Sequence, residues 1–190
     1  MRLNVPYNEL SDRTKQLFKE LHLLGYENAI LALELVINEM CAEKGYKRYN
    51  GAHYYYHLVD VTQILINMRI KDNKDENLLI ASILHDIVED VPGYTIGKIA
   101  KMFNPRVADI VKKLTKEKGI DYTKPENLEE YLKGILEDED AALIKTADRM
   151  NNFATLRYAP FKKKKRQAEE TAIHFIPFFK EARTIYHRHS

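Results

Sequence analysis

The sequence predicts an all-α protein, and three observations carry that prediction. Apolar residues recur at helical spacing in segment after segment. No stretch shows the sustained apolar–polar alternation of a half-buried strand. Gly, Pro and the pairs Asn-Gly and Asn-Pro punctuate the periodic segments where helices should end. No linker rich in Gly, Pro or Ser divides the 190 residues. The expected organisation is therefore a single domain over residues 1–190, a length that can bury a sizeable core.

The elements follow in order. Residues 11–24 place Leu17, Phe18, Leu21 and Leu24 on a helical repeat, with Ser11 or Asp12 as a cap and Gly25 as a stop. Residues 27–43 repeat the pattern through Ile30, Leu33, Val36 and Met40 and end at Gly45. GYKRYNG reads as a loop with Asn-Gly turn chemistry. A third helix is expected over 52–70, a solvated connector over 71–77, and a fourth helix over 76–91 that is apolar nearly all round. Two short helices near 95–103 and 105–116 are split at Asn104-Pro105. Helices near 126–137 and 139–157 come next, and a last helical region over 162–188 is interrupted at Pro177.

Composition narrows the function. Lys and Arg number 30 and Asp and Glu 28, a net charge of +2. That balance argues against a protein that works by wrapping nucleic acid. The one cysteine, Cys41, excludes an intramolecular disulfide and any thiolate metal site. The longest apolar run, around Leu78 to Val88, is too short to span a bilayer, and the N-terminus has no apolar signal core. The expectation is a soluble cytoplasmic protein without a membrane partner. The charge is segregated: residues 126–140 hold seven acids and one lysine, whereas Lys162–Arg166 is a run of five bases. That run reads first as a solvated face, and otherwise as a patch attracting an anionic partner.

The polar residues of the apolar fourth helix are the most informative. His85 and Glu89 are four residues apart, as are Asp86 and Asp90, so all four share one broad strip. Carboxylates in an apolar setting need partners, protons or a metal. A metal or catalytic strip accounts for them better than a solvated face. Asp148 is a second acid in apolar context, with Asn152 and Thr155 beyond it on the same face. Alone it reads as a salt-bridged structural acid; beside a His-Asp pair it becomes a candidate fourth ligand. In HYYYH, His53 and His57 are four apart, and spacing does not choose between ligand and core histidine for either. Imidazoles with carboxylates suit Zn, Mn or Fe and leave open positions for water and substrate, as hydrolysis needs.

The order H…HD…D resembles the HD-domain metal-dependent phosphohydrolases, and longer words sharpen the likeness. RYNG with HYYYHLVDVTQIL, then ASILHDIVEDVPGYT, FNPRVADIVKKLTK and LIKTADRMNNFATL resemble, in order, segments of the RelA/SpoT-type alarmone hydrolases. They span about residues 25–160, and the likeness is to the small stand-alone members. The resemblance implies an all-α, HD-domain helical bundle that cleaves the 3′-pyrophosphate of guanosine tetra- or pentaphosphate with Mn²⁺. It implies His57, His85, Asp86 and Asp148 as metal ligands, selecting His57 over His53. Glu89 and Asp90 match the acidic pair that activates water, and Arg48 the residue that contacts the purine. Asn152 and Thr155 match nucleoside contacts, and Lys145 and Arg149 basic positions near the substrate. Tyr49, His53, Leu58, Asn151, Ala154 and Asn104-Pro105 depart from the family words. Another nucleotide substrate, such as an adenosine analogue, or a catalytically silent binding scaffold are the alternative readings.

Overall fold

The computed structural model describes residues 3–68 and 75–186. The chain divides into two compact units, Met1–Thr115 and Lys116–Ser190. The first holds α1 (Asp12–Leu23), α2 (Glu27–Glu39), α3 (Tyr55–Asn67), α4 (Glu76–Leu84), α5 (Ile87–Asp90), α6 (Ile96–Met102) and α7 (Pro105–Leu114). The second holds α8 (Pro125–Leu136), α9 (Glu139–Ala154), α10 (Phe161–Glu170) and α11 (Ile176–Tyr186). Among the described residues there is no strand, and the only bridge is an antiparallel one between Lys47 and His53. The all-α prediction holds. The expected helix ends at 70 and 188, and residues 71–74 of the connector, lie outside the described residues.

Several helix starts are closed by side chains. Asp75 accepts from the Asn77 N–H, Thr95 from Lys98, Asn104 from Val107 and Asp138 from Ala141. Asn104 thus caps α7, with Pro105 at the first helical position, where its missing N–H costs nothing. The Asn104 amide also donates to the Asn77 side chain at 2.8 Å, tying the start of α7 to that of α4. At α2, Ser/Thr/Asp/Asn chemistry is replaced from a distance. The Glu76 carboxylate accepts from the N–H groups of Asn28 and Ala29 at 2.8 and 3.2 Å, so an anion satisfies orphan donors at a helix N-terminus. Ser11 occupies the cap position of α1, but its hydroxyl pairs with that of Thr14 instead.

At the centre of the first unit is α4. Every residue from Leu78 to Leu84 is buried, and the helix packs against α2, α3 and α7. Ser82 is the polar exception in that run. Its hydroxyl lies 2.8 Å from that of Thr62 on α3, and both side chains are fully buried. Each hydroxyl has one proton, and the Leu58 and Leu79 carbonyls also lie within bonding distance. One hydroxyl therefore donates to the other, and the acceptor donates to its own helix.

The expected helix over 76–91 is two helices. His85 and Asp86 form a turn between α4 and α5, with Asp86 at φ −100°, ψ −7°. The Ser82 carbonyl, which a continuous helix would offer to the Asp86 N–H, lies 2.8 Å from His85 Nδ1. In the second unit the long terminal helix also breaks, but at a five-residue π turn, Thr171–Phe175, just before Pro177. Proline has no N–H to give the Ile173 carbonyl and its ring crowds that carbonyl, and widening the preceding turn relieves the clash. Among the described residues no helix is long and apolar enough to cross a membrane.

Replacing Asn104 with Ala removes a cap and the Asn77 contact together. Stability measured by urea unfolding is expected to fall by about 1–2 kcal/mol.

Candidate metal centre

The break between α4 and α5 creates the site. His85 Nδ1 faces a carbonyl, which can only accept, so Nδ1 carries the proton and Nε2 keeps its lone pair. That Nε2 lies 3.2 Å from Asp86 Oδ2. His57, in the first turn of α3, brings its Nε2 to 3.8 Å from the same oxygen. The two imidazoles are 2% and 3% exposed, with ring centres 5.5 Å apart. One ligand atom from each of His57, His85 and Asp86 lies within 4.8 Å of the others. Ligands about 2.0–2.2 Å from a divalent ion stand roughly 3–3.6 Å from one another, so the spacing fits a metal. The donor set, two neutral nitrogens and one carboxylate oxygen, fits it chemically.

Around this trio the neighbouring residues are already placed. Tyr54 donates its hydroxyl to Asp86 Oδ2 at 2.7 Å, and its ring stands edge-on to His57 at 5.7 Å. The Arg48 guanidinium lies 5.7 Å from the Tyr54 ring centre. Arg48 is held by a tight loop: its N–H bonds the Ala52 carbonyl, and its carbonyl accepts from Gly51, both at 2.9 Å. Gly51 stands at φ 80°, a left-handed conformation that glycine takes without strain. His53 serves that loop. Its Nδ1 accepts the Ala42 N–H at 3.0 Å, and its backbone pairs with Lys47.

Glu89 and Asp90 follow on α5 and are exposed. Crowding by protein raises the Asp90 carboxyl to about 6. The Asp86 and Glu89 charges add to the effect and His85 opposes it. The Tyr46 hydroxyl donates to the Asp90 backbone carbonyl at 3.3 Å.

Asp148 lies in the second unit, on α9, and is 7% exposed. Lys145 Nζ holds its Oδ2 at 3.0 Å, and the Asn152 amide donates to Oδ1 at 2.6 Å. The Thr155 hydroxyl donates to the Asn151 carbonyl one turn back, at 3.1 Å. Arg149, which the resemblance puts near the substrate, is buried on the second unit's side of α9. Its guanidinium is buried against the π turn, donating to Thr171 at 2.8 Å, to the Gln167 carbonyl at 3.0 Å and to Glu170 at 3.3 Å. It also lies 4.0 Å over the Phe175 ring. Lys162–Arg166 forms the start of α10, where Lys165 and Arg166 pair with Glu169 and Glu170.

The structure thus brings His57, His85 and Asp86 together on α3 and the α4–α5 turn, with Asp90 on α5 within reach of the Asp86 and His85 charges and Arg48 reaching Tyr54. Within the second unit, Lys145 and Asn152 both bond the Asp148 carboxylate. By residue type alone Tyr54, Tyr55 and Tyr56 are indistinguishable in the sequence. The signal that singles out Tyr54 is its position three residues, one helical turn, before the ligand candidate His57.

Comparisons with known proteins identify the family and the fold. The HD domain family model matches residues 32–181, running through both units. The chain is 33% identical over 155 residues to "GTP pyrophosphokinase rsh" of Brucella melitensis, covering 79% of this chain and 20% of that protein. It is 31% identical over 141 residues to "Bifunctional (p)ppGpp synthase/hydrolase SpoT" of Escherichia coli, covering 72% of this chain and 19% of that one. It therefore spans about a fifth of the length of the curated relatives it matches. A solved structure described as "A metazoan ortholog of SpoT hydrolyzes ppGpp and plays a role in starvation responses" shares the fold. Its TM-score is 0.63 at 24% identity, over 82% of this chain and 83% of that one. With its His-Asp turn and its match over residues 32–181, the chain belongs to the HD domain family.

Proposed function

We propose that this chain is a Mn²⁺-dependent pyrophosphohydrolase acting on guanosine tetra- and pentaphosphate in the cytoplasm, with residues 1–190 working as one HD domain. One water is consumed, the 3′-hydroxyl is regenerated, and GDP or GTP leaves with pyrophosphate. The observation that carries the reading is the trio of buried His57 and His85 with half-buried Asp86, followed within one turn by Glu89 and Asp90. The (p)ppGpp relatives supply the substrate class.

His57, His85 and Asp86 would hold the ion, and the sequence motif assigns Asp148 as the fourth ligand. When bound, a divalent ion acidifies a water and polarises a phosphoryl oxygen. Glu89 and Asp90 are the candidates to accept the water's proton, and in metal-free protein the Asp90 carboxyl stands at about 6. Glu89 shares that acidic turn. Arg48 would lie flat against the purine, as its planar guanidinium allows and a lysine would not. Lys145 and Asn152 hold the Asp148 carboxylate. Thr155 remains a nucleoside-contact candidate on the same motif. Arg149 is assigned to holding the second unit's helices, given its buried contacts.

Pyrophosphate release from ppGpp, and from its adenosine counterpart, tests the reading when followed by chromatography with Mn²⁺ and with chelator. Release from ppGpp with Mn²⁺, abolished by chelator, is expected. Asp86→Ala is expected to lower it by at least about 100-fold. Undiminished Mn²⁺-dependent turnover in Asp86→Ala would sink the ligand assignment, and release from the adenosine compound alone would move the substrate class.

Asp90 makes a second test. In metal-free protein its carboxyl is expected to titrate near pH 6 by carbon-detected NMR. Asp86→Asn removes one of the charges that raise it, so the midpoint should move down towards the ordinary carboxylate range. An Asp90 midpoint near 4 in the wild type would show that protein crowding and the Asp86 and Glu89 charges do not raise it.

A further inference from the structure

We propose that Tyr54 is a positioning residue of the metal centre: its hydroxyl fixes the Asp86 carboxylate and its ring seats the Arg48 guanidinium. One side chain thereby keeps the metal end and the base end of the site in register. The inference rests on the metal-dependent nucleotide hydrolysis proposed above.

The contacts of Tyr54 reach three of the residues assigned there. Its hydroxyl meets Asp86 Oδ2 at 2.7 Å, and an ionised carboxylate can only accept, so the phenol donates. An aspartate carboxylate turns easily about its last bond. The phenol holds Oδ2, the same oxygen that faces His85 Nε2 at 3.2 Å and His57 Nε2 at 3.8 Å. The Tyr54 carbonyl accepts the His57 N–H at 2.8 Å, so the backbone of Tyr54 also fixes the turn that carries that histidine. Its ring is edge-on to His57 and lies under Arg48.

The adjacent tyrosines do other work. Tyr55 is 4% exposed and packs 4.8 Å from Tyr56. Both rings lie 5.1 Å from His53, and Tyr56 carries Arg13 at 5.2 Å. Only the tyrosine one turn before His57 touches both a ligand candidate and the purine-side arginine. Groups that orient a metal ligand through a hydrogen bond tune affinity by about 10–100-fold when removed.

Two variants of the full chain separate the two contacts. Tyr54→Phe keeps the ring and loses the hydroxyl. Tyr54→Leu loses both. Mn²⁺ affinity is measured by titration calorimetry and by the spectrum of free Mn²⁺, and KM for ppGpp at saturating Mn²⁺. Thermal melting confirms that each variant is folded. Tyr54→Phe is expected to weaken Mn²⁺ binding by about 10-fold and to leave KM within about twofold. Tyr54→Leu is expected to weaken Mn²⁺ binding as much and to raise KM about fivefold, because Arg48 loses its seat. A residue that only supports packing would not split the two readouts in this way. Mn²⁺ binding by folded Tyr54→Phe that equals the wild type's overturns the proposal alone. A wild-type protein that binds no Mn²⁺ overturns the reading of the site beneath it and the proposal with it.

Discussion

Two imidazoles and a carboxylate held together in an apolar interior are the constraint on which the first unit is built. A neutral imidazole inside a protein needs a place for its one N–H and leaves one lone pair exposed to whatever faces it. His85 places its N–H on the Ser82 carbonyl. That bond and the helix compete for the same acceptor, and the helix stops at Leu84. The break that would weaken an ordinary core helix here turns His85 and Asp86 towards His57. The apolar wrapping of α4 by α2, α3 and α7 holds the broken end in place, and the Thr62–Ser82 hydroxyl pair links α3, which carries His57, to α4.

Much of this was legible in the residues. Helical periodicity located every main helix, since burial of one face imposes that period whatever the final arrangement. The apolar run over Leu78–Leu84 announced a central helix, and the polar residues at its end announced a site. What could not be read was the break itself. His85-Asp86 contains no Gly or Pro, and the stop comes from a side-chain hydrogen bond that propensity does not encode. Nor could spacing separate His53 from His57, because both lie near one turn and only their partners differ: a loop N–H for one, a carboxylate oxygen for the other.

The second unit shows the same ambiguity from the opposite side. Asp148 and Arg149 are neighbours in an apolar helix, both are charged and both are buried. Adjacent helical residues point about 100° apart, so they meet different surroundings. Asp148 meets Lys145 and Asn152, whereas Arg149 meets the carbonyl, hydroxyl and ring of the terminal helix. Burial lowers the affinity of Arg149 for its proton, but Glu170 partly offsets this, and a guanidinium stays charged in any case. Burial alone does not distinguish the two residues; their partners do.

The π turn at Thr171–Phe175 changes how the end of the chain must be read as a helix. Gln167, Phe175 and Phe178 are its buried residues. In a straight α-helix, Gln167 and Phe175 would stand about 80° apart around the axis. The wide turn absorbs one residue without advancing the winding, and this brings them to within about 20° of a common line. Phe178 shifts the other way, from about 20° to about 80° from Gln167, so the bulge reorders the buried positions within a stripe of unchanged width. The correct periodicity for this segment skips one residue at the bulge.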